Sequence, residues 1–214
     1  MNIIWYGLNC FKIQTKETVL LTDPFESSVG IKPFQGQADI VTISEKEDLD
    51  NNIKAIKGSP FVISSAGEYD IKEMSIRGIV DFGTNGNKEK DNKENIIYVY
   101  EIEGIKICHL GKLNNLLSNA GLEKIGQIDI LFVPVGGGVT LDGEKADEII
   151  NVIEPKIVIP MHYKTKGLNL KIDEADRFLK EMGAMATEKV DKFSIKKKDL
   201  PEGETKIVVF ADPN

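Results

Sequence analysis

The sequence predicts an α/β protein with α+β character, in which two β-sheets are layered between helices as an αββα sandwich. Three observations lead there. The first half is rich in short, β-branched strands bounded by Gly, Asn, Asp or Pro. The second half alternates such strands with amphipathic helices. No low-complexity linker separates the halves, so residues 1–214 are expected to form one domain, long enough to bury a sizeable core without disulfides.

Taken in order, the first-half strands are IIWY (3–6), CFKI (10–13), TVLL (18–21), DIVTI (39–43), FVIS (61–64) and MSIRGIV (74–80). Leu49, Ile53 and Ile56 recur at i, i+4, i+7 and suggest a short amphipathic helix. Residues 84–95, TNGNKEKDNKEN, lack large apolar groups and read as a solvated loop. IIYVYEIEG and IKICHLG form two strands with a turn near Glu103 and Gly104, and a helix follows from about Asn115 to Ile125. Strand DILFVPV (129–135) then leads through a glycine-rich loop into a helix with Asp142 as N-cap. Its apolar face is Ala146, Ile149, Ile150 and Ile153, and Pro155 stops it. IVIPMHYKT (157–165) completes a strand, loop, helix, strand unit that delivers His162 at a strand's carboxyl end, where open α/β sheets carry ligands. The last helix takes Asp173 as N-cap, buries Ala175, Phe178, Leu179 and Met182, and stops at Gly183; KIVVFA (206–211) is the final strand.

Formal charge is −7, with Lys and Arg mixed among Asp and Glu. That balance disfavours a nucleic-acid surface or an anionic membrane as partner. Cys10 and Cys108 lie far apart without a CxxC spacing, and the start of the chain lacks a charged, then apolar, leader pattern. A reduced, cytoplasmic setting is the expectation, and no apolar run approaches the roughly 18 residues of a membrane span. The partner is an unidentified small molecule or protein, and homo-oligomerisation stays open.

Two histidines could carry chemistry. His109, inside ICHLG, has the apolar neighbours of a satisfied core histidine. His162 follows Pro160 at a loop position that could face a cleft, and both a functional and a structural role remain open. After DIVTI stand Glu45, Glu47, Asp48 and Asp50 with Lys46 among them. Such a run suits a solvated helix start, where acids favour the macrodipole, or a hard cation such as Mg²⁺ or Ca²⁺. Gly136, Gly137 and Gly138 could cradle an anion, but match neither GxGxxG nor a Walker sequence and read better as a tight turn. Cys10 has no base nearby in sequence to activate it and reads as a small buried residue.

IIWYGLNCFKI, LLTDPF, SAGEYDI, ICHLGKL, FVPVGGGVTLDGEKA and IVIPMHYKT together resemble the metallo-β-lactamase superfamily, over nearly the whole chain. Within it they resemble the small zinc-dependent hydrolases related to L-ascorbate-6-phosphate lactonase. The resemblance implies a four-layer αββα sandwich with a metal site at one edge of the two sheets. It also implies metal-binding residues in a Ser-His-x-His-x-Asp-His segment, where this chain has Ser44, Glu45, Lys46, Glu47, Asp48, Leu49 and Asp50. A further ligand histidine corresponds to Gly83, the metal-bridging aspartate to Lys112, and a histidine frequent near the site to Leu8. His162 alone of the expected ligands is kept, and His109 matches a position that is not a ligand.

Glu45, Glu47, Asp50, Gly83, Lys112 and His162 therefore mark a degenerate site, with the Lys112 ammonium expected to pair with the acids. One histidine falls short of the three or four ligands zinc usually needs. The expectation is accordingly a non-hydrolytic binding, regulatory or assembly protein with no cofactor. The alternative is an atypical metal-dependent hydrolase, lactonase- or phosphodiesterase-like, in which Glu45, Glu47, Asp50 and His162 hold one divalent Mn, Mg or Zn ion.

Overall fold

The computed structural model describes residues 1–45, 52–81 and 94–213. Among these, two mixed sheets face one another. The first has six strands in the order β13-β1-β2-β3-β4-β5. They are β1 (Asn2–Gly7), β2 (Cys10–Gln14), β3 (Val19–Thr22), β4 (Ile40–Thr42), β5 (Phe61–Ile63) and, from near the chain's end, β13 (Phe193–Ser194). β1, β2 and β3 are antiparallel neighbours, whereas β3, β4 and β5 run parallel.

The second sheet is seven-stranded, in the order β14-β11-β10-β9-β8-β7-β6. Its members are β6 (Gly67–Ile71), β7 (Met74–Val80), β8 (Ile96–Ile102), β9 (Ile105–His109), β10 (Ile130–Pro134), β11 (Ile157–Met161) and β14 (Lys206–Ile207). β6 to β9 form an antiparallel meander; β9, β10, β11 and β14 are parallel. A two-stranded ribbon pairs β12 (Lys189–Val190) with β15 (Val209–Phe210). The expected strand over 206–211 is thus split: Lys206–Ile207 extends the sheet and Val209–Phe210 leaves it for the ribbon.

Strict alternation explains why the first sheet is buried on both sides. Ile3, Trp5, Phe11, Ile13, Leu20 and Ile40 point into the core shared with the second sheet. The intervening Leu8, Cys10, Leu21 and Val41 point outward, into a second apolar cluster with Phe25, Val29, Ile31 and Phe34. Among the described residues that outer face is covered by the 25–38 segment and single 3-10 turns at Ser27–Val29 and Ile53–Ala55. The latter stands where the sequence suggests an amphipathic helix, with Ile56 buried and Leu49 outside the described residues.

The α-helices cover the second sheet. α1 (Asn119–Ile125) packs on β7, and α2 (Gly143–Ile153) packs on β10 and on α3 (Asp176–Glu181). α1 starts four residues later than the periodicity suggests because Ser118 caps it, accepting from Gly121 N–H at 3.0 Å while its own hydroxyl donates to Asp81. α2 is capped as expected, Asp142 Oδ1 accepting from Lys145 N–H at 3.0 Å. Asp173 does not cap α3. Its backbone instead joins two loops, N–H to Gly136 O and C=O from Lys164 N–H, both at 2.8 Å. β10, α2 and β11 form the parallel crossover read from sequence, so the ends of β9, β10 and β11 lie side by side.

Gly136 follows β10 where the loop passes the backbone after β11. A Cβ there would lie 2.2 Å from the His162 carbonyl oxygen and 3.1 Å from Tyr163 Cα, so side-chain absence sets the close approach. Gly136→Ala is expected to cost about 1–3 kcal/mol through this backbone clash. Thermal denaturation checks it, with a midpoint several degrees below wild type expected.

Candidate functional site

Four strand ends and one turn converge. β1 and β2 are joined by a turn at Leu8 and Asn9, β3 runs into Asp23, β4 into Ser44 and Glu45, β9 from His109 to Lys112, and β11 into His162. Leu8, Asp23 and His162 all adopt left-handed backbone, with φ of 48°, 36° and 51°. Non-glycine residues visit this region at a cost, and such residues gather at functional sites.

Hydrogen bonds close the arrangement. His162 N–H donates to Leu8 O at 3.1 Å, and Trp5 Nε1–H donates to the same carbonyl at 2.9 Å. Thr22 Oγ1–H donates to Asn9 O at 2.6 Å and accepts from Phe11 N–H at 2.9 Å. Asp23 accepts from Ser44 N–H at 2.6 Å and Ser44 Oγ–H at 2.8 Å. Asn95 holds the turn after β9, donating to Leu110 O at 2.9 Å and accepting from Lys112 N–H at 2.7 Å.

The histidines are buried and neutral, for different reasons. His109 Nε2–H donates to Asn9 O at 3.0 Å, and Nδ1 accepts from Gly111 N–H at 3.2 Å. Both ring nitrogens are thus used, as a satisfied core histidine requires. Asp23 Oδ2 lies 3.9 Å from Nδ1, but that nitrogen carries no proton, so the contact is no ion pair. Burial lowers the His109 pKa, against the opposing pull of Asp23. His162 Nδ1 donates to Asn9 Oδ1 at 3.0 Å, while Nε2, equally buried, has no hydrogen-bond partner among the described residues. Burial, aided by the Lys112 charge, pushes the His162 pKa down to about 3.

Lys112 and Glu45 meet as the sequence suggests, Nζ to Oε2 at 3.7 Å, with both side chains about nine-tenths buried. Burial lowers the Lys112 pKa, with Glu45 and Asp23 opposing. The carboxyl of Asp23 is raised by burial, with His109, Ser44 and Lys112 acting against the rise. Of the residues singled out from sequence, the structure joins Glu45, Lys112 and His162 in one site; Glu47, Asp50 and Gly83 lie outside the described residues. Asn9, Asp23, Ser44 and Asn95 were not singled out. The Asp-Pro pair closing the LLTDPF strand was the available signal for Asp23.

The donor chemistry fits a divalent cation in part. A buried imidazole nitrogen with a free lone pair is a ready ligand, and the Glu45 carboxylate is an oxygen donor beside Lys112. Among the described residues no group of three or more His, Cys, Asp or Glu is assembled. The Lys112 ammonium also opposes added positive charge there.

Two consequences can be measured in chelator-treated protein. Neutral buried histidines leave the unfolded chain to take up protons that the native chain refuses, so stability falls as pH drops below about 6.5, by up to about 1.4 kcal/mol per pH unit for His162, with His109 acting in the same sense. Asp23, raised by burial, acts in the opposite sense as pH falls through its own titration and offsets part of the loss. Thermal midpoints between pH 7.5 and pH 5 should fall accordingly by the stated slope, and His162→Asn should flatten the fall. Lys112→Met leaves Glu45 without this cation and is expected to cost about 3 kcal/mol, seen in urea unfolding.

Comparison with known proteins places the fold. Residues 2–162 match the model of the β-lactamase superfamily domain. A crystal structure from Thermotoga maritima, named as a proposed Zn-dependent hydrolase of the metallo-β-lactamase superfamily, superposes with a TM-score of 0.81 at 36% identity, covering 98% of this chain and 97% of that one. A UPF0173 protein of Pyrococcus abyssi is 29% identical over 78% of this chain and 85% of its own length. A UPF0173 metal-dependent hydrolase of Lysinibacillus sphaericus is 28% identical over 77% and 86%.

These relatives overturn the expectation of a non-hydrolytic protein without cofactor. Proteins similar along most of this chain carry metal-dependent hydrolase names. The physical flaw lay in equating lost histidines with lost donors, since carboxylates also ligate divalent cations and His162 keeps its lone pair. The strand-end site, the two facing sheets and the match over residues 2–162 agree: the chain belongs to the metallo-β-lactamase superfamily.

Proposed function

We propose that this protein is an atypical metal-dependent hydrolase, lactonase- or phosphodiesterase-like, working with one divalent Mn, Mg or Zn ion rather than a metal pair. The observation that carries this reading is His162 Nε2, a buried lone pair without a partner among the described residues, in a neutral imidazole at a strand end. His162 and Glu45, with Glu47 and Asp50 from the following segment, are the residues that would hold the ion. A bound divalent ion supplies a lowered water pKa and polarises the scissile group. A kinship with L-ascorbate-6-phosphate lactonases, resting on the sequence motifs, favours lactones and phosphate esters as substrates.

The chain's own residues have distinct tasks in this scheme. Lys112, held against Glu45, gives the site a fixed positive charge that would attract an anionic substrate group and stabilise negative charge developing on oxygen. Asp23, braced by two hydrogen bonds from Ser44, ties the end of β3 to the end of β4 and so holds the backbone that carries Glu45. Burial of His162 excludes water from Nδ1 and keeps the ring neutral over the physiological range.

Elemental analysis of protein purified without chelator or added metal tests the proposal, followed by assays with lactones, phosphodiesters and thioesters. Close to one ion per chain and chelator-sensitive hydrolysis are expected. His162→Ala and Glu45→Gln should each lose the ion and at least roughly 100-fold in kcat/KM, since charge stabilisation by a metal is worth several kcal/mol. Protein that takes up no zinc, manganese or magnesium and hydrolyses none of these substrates would sink the reading.

A further inference from the structure

We infer that Asn9 is a positioning residue for His162: its side-chain oxygen fixes the imidazole as the Nδ1–H tautomer and so presents the Nε2 lone pair to the site. The inference rests on the hydrolase reading for the lone pair's use, and on geometry alone for the tautomer. Asn9 is completely buried in the β1–β2 turn. Its own backbone is pinned, since its carbonyl accepts from Thr22 Oγ1–H at 2.6 Å and from His109 Nε2–H at 3.0 Å. The preceding carbonyl, Leu8 O, accepts from Trp5 Nε1–H and from His162 N–H. Both the backbone and the ring of His162 are thereby held by two consecutive residues of one turn.

The tautomer follows from the chemistry of the partner. An amide oxygen has lone pairs and no proton, so the nitrogen facing Asn9 Oδ1 at 3.0 Å must be the one that carries hydrogen. A neutral ring then has its free lone pair on Nε2, the atom without a partner among the described residues. His109 is held the opposite way: Nε2–H on Asn9 O, with the lone pair on Nδ1 facing Gly111 N–H. One residue thus sets both rings, with its backbone oxygen for one and its side-chain oxygen for the other, and the two tautomers differ. A ligand histidine whose other nitrogen is fixed by such a partner binds metal more tightly, by about 10–100-fold.

The chain has two histidines, so ring-nitrogen NMR of metal-free protein reads both tautomers directly, with His109→Asn assigning the signals. Wild type is expected to show His162 protonated at Nδ1 and His109 at Nε2. In Asn9→Ala, His162 should shift towards the Nε2–H form and zinc or cobalt affinity should fall about 10–100-fold. Asn9→Asp, which keeps an acceptor oxygen, should retain the wild-type His162 tautomer. A wild-type His162 protonated at Nε2 overturns the inference, as does an Asn9→Ala protein whose His162 tautomer is unchanged. Failure of the wild type to take up metal would remove the hydrolase reading, while the tautomer still decides the role of Asn9.

Discussion

One backbone hydrogen bond, from His162 N–H to the Leu8 carbonyl, ties the end of β11 in the seven-stranded sheet to the β1–β2 turn of the six-stranded sheet. Both sheets are buried on the faces that meet, so apolar packing brings them together without specifying how their ends align. A directional contact at the rim does specify it. Leu8 and His162, the two residues joined by this bond, both have left-handed backbone. Asn9 then reaches one histidine with its backbone and the other with its side chain. The site is thus a product of how two sheets are tied at one edge.

Much of the framework was legible because it rests on local patterns. Alternation located β1 to β5 and β7, and the helical stripe of Ala146, Ile149 and Ile150 located α2 with its Asp142 cap. β6 was missed as a strand because GEYDI offers only Tyr69 and Ile71 as an alternating apolar pair and is followed at once by Lys72, in left-handed backbone. Within the site, His162, Glu45 and Lys112 were legible from chemistry and strand position. Asn9, Asp23, Ser44 and Asn95 were not, since small polar residues in turns look alike until their partners are known. Asn9 and His162 stand 153 positions apart. No periodicity carries that information.

Charge also had to be read in three dimensions. The exchange of histidines for acids around a lysine looks in sequence like the removal of a metal site. In space, Lys112 lies against Glu45 and its charge acts on His162, whose Nε2 has no hydrogen-bond partner among the described residues. A protein cation and a single metal ion can divide the electrostatic task that two metals would otherwise perform. Asp23, held by Ser44, favours the charged form of Lys112.

The left-handed residues at the rim have an evolutionary consequence. Each costs of order 1 kcal/mol in backbone strain, and glycine or asparagine would relieve much of it. Asp23 and His162 hold their positions through polar tasks, whereas Leu8 contributes a buried aliphatic side chain and a carbonyl that accepts from two donors. Selection for stability alone would therefore drift first at such turns, towards a sturdier scaffold with a blunter site. Among descendants of this chain, the residue at the Leu8 position should be the earliest record of whether activity or mere persistence was being favoured.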